Sequence, residues 1–123
     1  MKRRPDRLPI DFLRERFAYD PDTGKVTWKE RPLSDFAMRR IGKTWNTRFA
    51  GTEGLVEPDG GRRFRVEFKG STFRVNASTI ALALKLGHMV FEEVDHRDND
   101  PSNNRGDNIR PATRSQNNAN RRG

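Results

Sequence analysis

The sequence predicts a small α+β protein, and three observations carry that prediction. Between Arg62 and Val75, apolar and charged residues alternate in two runs, the mark of antiparallel strands with one buried face. Ala77 to Leu86 follows as an almost wholly apolar stretch closed by Gly87, which predicts a helix packed on that sheet. From Met89 onward the chain reads strand, turn-rich loop, short strand and capped helix, a compact C-terminal unit. At 123 residues this is one compact chain. It divides into an N-terminal helix with an irregular basic segment (1–50), a three-stranded meander plus helix (51–88) and the C-terminal unit (89–123).

Composition narrows the partners. Hydrophobic residues make up 32% and charged residues 34%, so the core is modest. Twenty-five Lys and Arg against 17 Asp and Glu leave a net charge of +8, and the pI is near 10.8. The expected partner is a polyanion. A membrane surface is the rival, but the basic residues alternate with apolar ones along strands and do not line a strongly amphipathic helix. No apolar run approaches transmembrane length, and no apolar stretch follows the basic start Met1 to Pro5, so neither a membrane span nor a signal peptide is expected. The absence of cysteine excludes disulfide partners and thiolate zinc sites and fits a cytoplasmic location.

The elements follow in order. Residues 1–6 form a basic arm. Pro9 to Phe17 carries Phe12, Leu13 and Phe17 at helical spacing. Tyr19 to Gly24 is a turn cluster, with a strand over Lys25 to Trp28. Residues 29–50 read as irregular, anchored by Trp45 and Phe49. Thr52 to Glu57 reads as a strand, Pro58 to Gly61 as a tight turn, and Arg62 to Lys69 as the next strand. Gly70-Ser71 is the hairpin signal before a third strand with Phe73 and Val75 inward. Phe64, Val66 and Phe68 then share one face, and Arg63, Arg65, Lys69 and Arg74 the other. Asn76 is placed to cap the apolar helix, with Ile80, Ala81 and Leu84 as its core stripe and Leu82 and Leu86 buried on a second side. Met89 to Val94 is a strand leading into Asp95-His96. Residues 97–107 form a long loop, and Ile109-Arg110 a short return strand. Thr113 to Gln116 matches a capping box, so a helix begins at Thr113 and contains Asn117.

The chemistry concentrates in that last third. His96 is one of two histidines and adjoins a carboxylate, Asp95. A neutral imidazole there can take a proton near neutral pH, and hard oxygen ligands beside it suit a divalent cation. His88 follows the helix-ending Gly87 and reads as a cap or surface residue. Asp98, Asp100 and Ser102 echo a calcium loop, but Asn103 replaces its glycine and Ile109 its closing glutamate, so an EF-hand is rejected.

The order VDH (Val94 to His96), DNIR (Asp107 to Arg110), ATRSQN (Ala112 to Asn117) and Asn120-Arg121 resembles the ββα-metal (His-Me finger) module of the HNH endonucleases. More narrowly it resembles the phage group related to homing endonucleases, whose motif is His-Asn-Asn. The layout upstream is similar too: TGKVTWKE (Thr23 to Glu30), AGT (Ala50 to Thr52), meander, apolar helix and glycine before VDH. The resemblance implies that His96 is the general base and that Asp95 and Asn117 are metal ligands. It implies that Asn108 pins the loop and helps hold the histidine. One departure is that the helix start common in the group, HRLAW-like, is here Ser78-Thr79-Ile80-Ala81-Leu82.

The resemblance implies a DNA endonuclease with one Mg²⁺ or Mn²⁺, leaving 5′-phosphate and 3′-hydroxyl ends, in a bacterial host cell if phage-encoded. Duplex DNA would be gripped by Arg63, Arg65, Lys69 and Arg74 and by Arg114, Arg121 and Arg122. The alternatives are a non-catalytic DNA-binding protein with an idle HNH fold, or an RNA-binding accessory protein.

Overall fold

The computed structural model describes residues 8–90 and 93–112. Its order is α1 (Ile10–Arg16), β1 (Phe17–Tyr19), β2 (Val26–Trp28), a single 3₁₀ turn (Leu33–Asp35), α2 (Arg39–Phe49), β3 (Leu55–Val56), β4 (Arg62–Phe68), β5 (Ser71–Asn76), α3 (Ala77–Leu86), β6 (Glu93–His96) and β7 (Ile109–Ala112). The strands form three small antiparallel sheets: β1–β2, the meander β3–β4–β5, and β6–β7. The α+β class is as predicted. Among the described residues, no helix is long and apolar enough to cross a membrane.

The three sheets share α3. Ala77, Ile80, Ala81, Leu82 and Ala83 are buried, and the helix touches α1 and strands of every sheet. A helix apolar nearly all round is a central helix, and its alanines let strands approach closely. Leu86 departs from the expectation: it is exposed, because α3 runs out of the core one turn before Gly87. Gly87 ends the helix in the left-handed conformation, φ +82°, as its position suggested. Asn76 occupies the N-cap, but its side chain makes no capping hydrogen bond. Around α3, one aromatic cluster ties the N-terminal hairpin to the meander: the Phe17 ring lies 4.6 Å from Trp28 and 4.7 Å from Phe64, centroid to centroid.

Several expectations need correction. Residues 29–50 are not irregular: they contain the 3₁₀ turn and the eleven-residue α2. The helix was hidden because its inward stripe is Gly42, Trp45, Asn46 and Phe49, not a run of aliphatics. Gly42 is required there, since a Cβ would lie 2.7 Å from the Phe36 ring. Phe17 leaves α1 to open β1, a strand unforeseen, and pairs with Trp28. The strand expected over 52–57 shrinks to Leu55–Val56, because Thr52 already accepts a bond from the Trp28 amide through its carbonyl. The β4–β5 turn is Lys69-Gly70, one residue earlier than expected. Phe68 pairs with Ser71, and both turn residues have positive φ (+48° and +77°), the signature of a type I′ hairpin. Asp95 and His96 lie within β6 rather than after it, and Met89 and Val90 are not strand. The inward face of the meander is as predicted, with Phe64, Val66, Phe73 and Val75 buried. The helix expected from Thr113, with Arg114, Asn117, Arg121 and Arg122, lies outside the described residues, as does the basic arm 1–6.

Candidate active site

The β6–β7 hairpin brings the motif residues together. Antiparallel register sets Asp95 opposite Arg110 and His96 opposite Ile109. Asp95 is buried, with 1% exposure, and Arg110 Nε donates to its Oδ2 at 2.8 Å. The pair stands at the edge of the core, because Arg110 itself is 46% exposed.

The His96 ring is gripped by a residue that sequence reasoning missed. Its Nε2 lies 2.9 Å from Asn104 Oδ1. A carbonyl oxygen only accepts, so Nε2 carries the proton and the neutral ring presents its lone pair at Nδ1. Asn104 is in turn fixed from the other end of the chain: the Tyr19 hydroxyl donates to its backbone oxygen at 2.6 Å.

Asn108 does not reach the His96 ring; it closes the loop that carries Asn104. Its Nδ2 donates to Asp98 Oδ1 at 2.9 Å and to the Asn103 oxygen at 2.8 Å, and its Oδ1 accepts from the Asp98 amide at 3.1 Å. Its backbone oxygen takes the Arg97 amide and its amide donates to the Arg105 oxygen, both at 2.9 Å. Asp98 also accepts from Asn103 Nδ2 at 2.7 Å, the contact that does most to hold its carboxyl below the usual range. The Asp100 amide and Asn108 add to the same effect. Asp100 is spent on Ser102. Asp98 and Asp100 are thus both engaged in closing the loop.

Burial singles out the same group. Among the described residues, the buried polar side chains are Asp95, Asn104 (5% exposed) and Asn108 (7%), all in this hairpin. Polar groups are buried where hydrogen bonds repay the loss of water. The other histidine is apart: His88 is exposed, with its Nδ1 2.9 Å from the Met89 oxygen.

The loop is braced from outside by elements distant in sequence. The Gly106 amide donates to the Pro21 oxygen at 2.9 Å, and Lys85 Nζ of α3 donates to the Gly106 and Ile109 oxygens at 2.6 and 3.2 Å. Gly24, at φ +81°, abuts the loop backbone, and a Cβ there would stand 2.6 Å from the Arg105 nitrogen. The one sequence signal for Asn104 was its place in the Asn-rich loop. Nothing in the sequence marked Tyr19, Gly24 or Lys85 as supports of this loop, or Arg110 as the partner of Asp95.

The donors assembled here are carboxylate and amide oxygens with an imidazole and no thiol, the chemistry of a hard divalent cation. Among the described residues, no three His, Asp or Glu side chains converge as a metal-binding cluster. Asp95 is the one proposed ligand among them.

Residues 87–119 match the family model described as HNH endonuclease. That match and the fold likeness below support an HNH-like C-terminal segment. A solved structure described as "DNA binding and cleavage by the HNH homing endonuclease I-HmuI" matches with a TM-score of 0.58 at 18% identity, over 94% of this chain and 56% of that one. At that identity the likeness is one of fold, and it reaches from the N-terminal helix through the HNH module. The chain spans little more than half the length of that neighbour. No curated protein matches.

The burial of Tyr19 against the loop has a spectroscopic consequence. Burial, then Asp107 and Asp20, raise its pKa from 10.0 to about 12. The folded state thus favours the protonated phenol. Its contribution is complete below the unfolded value near 10 and is lost as pH rises through the folded value. Tyr19 is the sole tyrosine, so tyrosinate absorbance reports it alone. The folded protein should titrate near 12, and an Asn104→Gly variant, whose Tyr19 contact is to the backbone, should do the same. A midpoint near 10 in the folded wild type would contradict the buried setting of Tyr19 beside Asp107 and Asp20.

Proposed function

We propose that this protein is a divalent-metal-dependent DNA endonuclease of the HNH type, hydrolysing phosphodiester bonds. The observation that carries the reading is the His96–Asn104 hydrogen bond beside buried Asp95, within a segment that matches the HNH model. A ring with Nε2 tied to an amide oxygen offers Nδ1 as the proton acceptor. His96 would take a proton from the attacking water as its oxygen bonds to phosphorus. The phosphorus–O3′ bond then breaks, and the 3′ oxygen collects a proton from solvent, leaving 5′-phosphate and 3′-hydroxyl ends. General-base assistance of this kind is worth roughly 10²–10⁴-fold. Asn108 serves by fixing the loop and Asn104 by fixing the ring.

Asp95 and Asn117 are the proposed holders of a single Mg²⁺ or Mn²⁺. When bound, such an ion supplies Lewis-acid stabilisation of the charge that builds on the phosphate and the leaving oxygen. Arg110 keeps the Asp95 carboxylate oriented through Oδ2.

The proposed partner is duplex DNA. On the outer face of the meander, Arg65, Lys69 and Arg74 are exposed, and Arg63 is paired with Glu57 at 3.2 Å. Arg65 stands directly opposite Arg74 across β4 and β5. Like charges so placed repel unless an anion lies between them, and a backbone phosphate is such an anion. Besides Glu57, the carboxylate of Glu67 shares the face. The remaining proposed contacts are Arg114, Arg121 and Arg122.

Two experiments test these readings. Supercoiled plasmid with Mg²⁺ should be nicked or linearised by the wild type. EDTA should stop the reaction, and His96→Ala should slow it at least about a hundredfold while duplex binding persists. Undiminished cleavage by His96→Ala would remove the histidine from the mechanism. Binding without metal-dependent cleavage would leave a DNA-binding protein with an idle site. Separately, Arg65→Ala/Arg74→Ala should lower the salt dependence of duplex binding by about two units if each contacts a phosphate; an unchanged slope would mark that face as solvated.

A further inference from the structure

We infer that α2 is a second phosphate-backbone contact for duplex DNA, additional to the cations of the meander face and of the HNH module; the inference rests on the DNA-binding reading above. Its sequence, RRIGKTWNTRF, holds four cations, and there is no Asp or Glu from Phe36 to Thr52. At 3.6 residues per turn, the stripe Gly42, Trp45, Asn46 and Phe49 faces the body of the protein. Arg40, Lys43 and Arg48 fan over the opposite half, Arg39 flanks the stripe beside Asn46, and all four are exposed. Among the described residues none of the four forms an ion pair. By contrast, Arg14, Arg16, Arg31, Arg62 and Arg63 each form one.

Stability of the fold does not explain this pattern. Gly42 is the one buried residue of the helix. Arg39 and Arg40 sit in its first turn, where the helix dipole repels cations, and Met38 provides no side-chain cap. The placement therefore costs the helix stability and is suited to receiving an anion.

The helix is nonetheless held firmly. Trp45 packs edge-on against Trp28 at 5.4 Å, and Asn46 clasps the Arg31 backbone, accepting from its amide at 2.8 Å and donating to its oxygen at 3.0 Å. The apolar stripe is thus already occupied. A membrane surface, which would need that stripe for insertion, is disfavoured.

Charge spacing selects the partner. A helix of eleven residues is about 16 Å long, so it carries about one unpaired cation per 4 Å. A duplex strand presents one phosphate per about 3.4 Å of its axis. The surface is also continuous with the meander cations. Arg48 of α2 and Arg63 and Arg65 of β4 line one groove of about 830 Å³.

The test uses the full chain and a duplex of arbitrary sequence, with EDTA present so that binding is read apart from cleavage. The variant Arg39→Gln/Arg40→Gln/Lys43→Gln/Arg48→Gln keeps good helix formers at each site. Its log Kd against log salt should flatten by about 3 to 4 units relative to wild type. Arg40→Gln and Arg48→Gln alone should each remove about 0.9 unit, which preserves the test if the quadruple variant fails to fold. Unchanged slopes in folded variants would overturn the proposal, even if wild-type plasmid cleavage upheld the nuclease reading. A larger α2-dependent slope on duplex RNA than on DNA would overturn the choice of partner. An inactive wild type that still binds with an α2-dependent slope would defeat the nuclease reading and sustain this one.

Discussion

Asn108 uses both ends of its amide to close the loop between β6 and β7, and the rest of the site hangs on that closure. It joins Asp98 and Asn103 across the loop while its backbone bonds Arg97 and Arg105. Without it, a run of Asp, Asn, Ser and Gly residues has no apolar side chains with which to order itself. With it, Asn104 is delivered to the His96 ring and a flexible composition becomes a fixed geometry. Each contact of this kind is worth about a kilocalorie on its own, and leaving a buried polar group unpaired costs about 1–3 kcal/mol. The polar cluster is therefore stable only if nearly complete.

The closure is shared with the N-terminal region. Tyr19 and Pro21 bond the loop backbone, Gly24 allows its close approach, and Lys85 of α3 caps its carbonyls. The β1–β2 hairpin is itself seated on the meander through Phe17, Trp28 and Phe64. A chain of packed groups thus runs from the aromatic core to the imidazole. The likeness in fold to an HNH homing endonuclease extends over the same N-terminal elements and not over the HNH segment alone.

Much of this was legible in the sequence because it rests on local rules. Alternation in 62–75 gave the meander faces, unbroken apolarity gave the central helix, and Asp95-His96 with Asn108 gave the motif. What was not legible depended on tertiary contact. α2 could not be read because its inward stripe contains a glycine and an asparagine, whose reasons are the Phe36 ring and the Arg31 backbone. Asn104 could not be told from its Asn neighbours, since only the folded loop decides which amide meets His96. The partner of Asp95 followed from a register that also sets His96 opposite Ile109, and register is fixed by packing as much as by turn composition.

The central claim is that the fold fixes one tautomer of His96, and long-range proton–nitrogen NMR of the imidazoles tests it directly. At a pH where both rings are neutral, His96 should carry its proton on Nε2, held by Asn104 Oδ1. His88 provides the contrast, because its contact to the Met89 oxygen runs through Nδ1. Asn104→Ala should release His96 to the averaged tautomers of a free imidazole. A wild-type His96 that is already averaged, or protonated on Nδ1, would contradict the account.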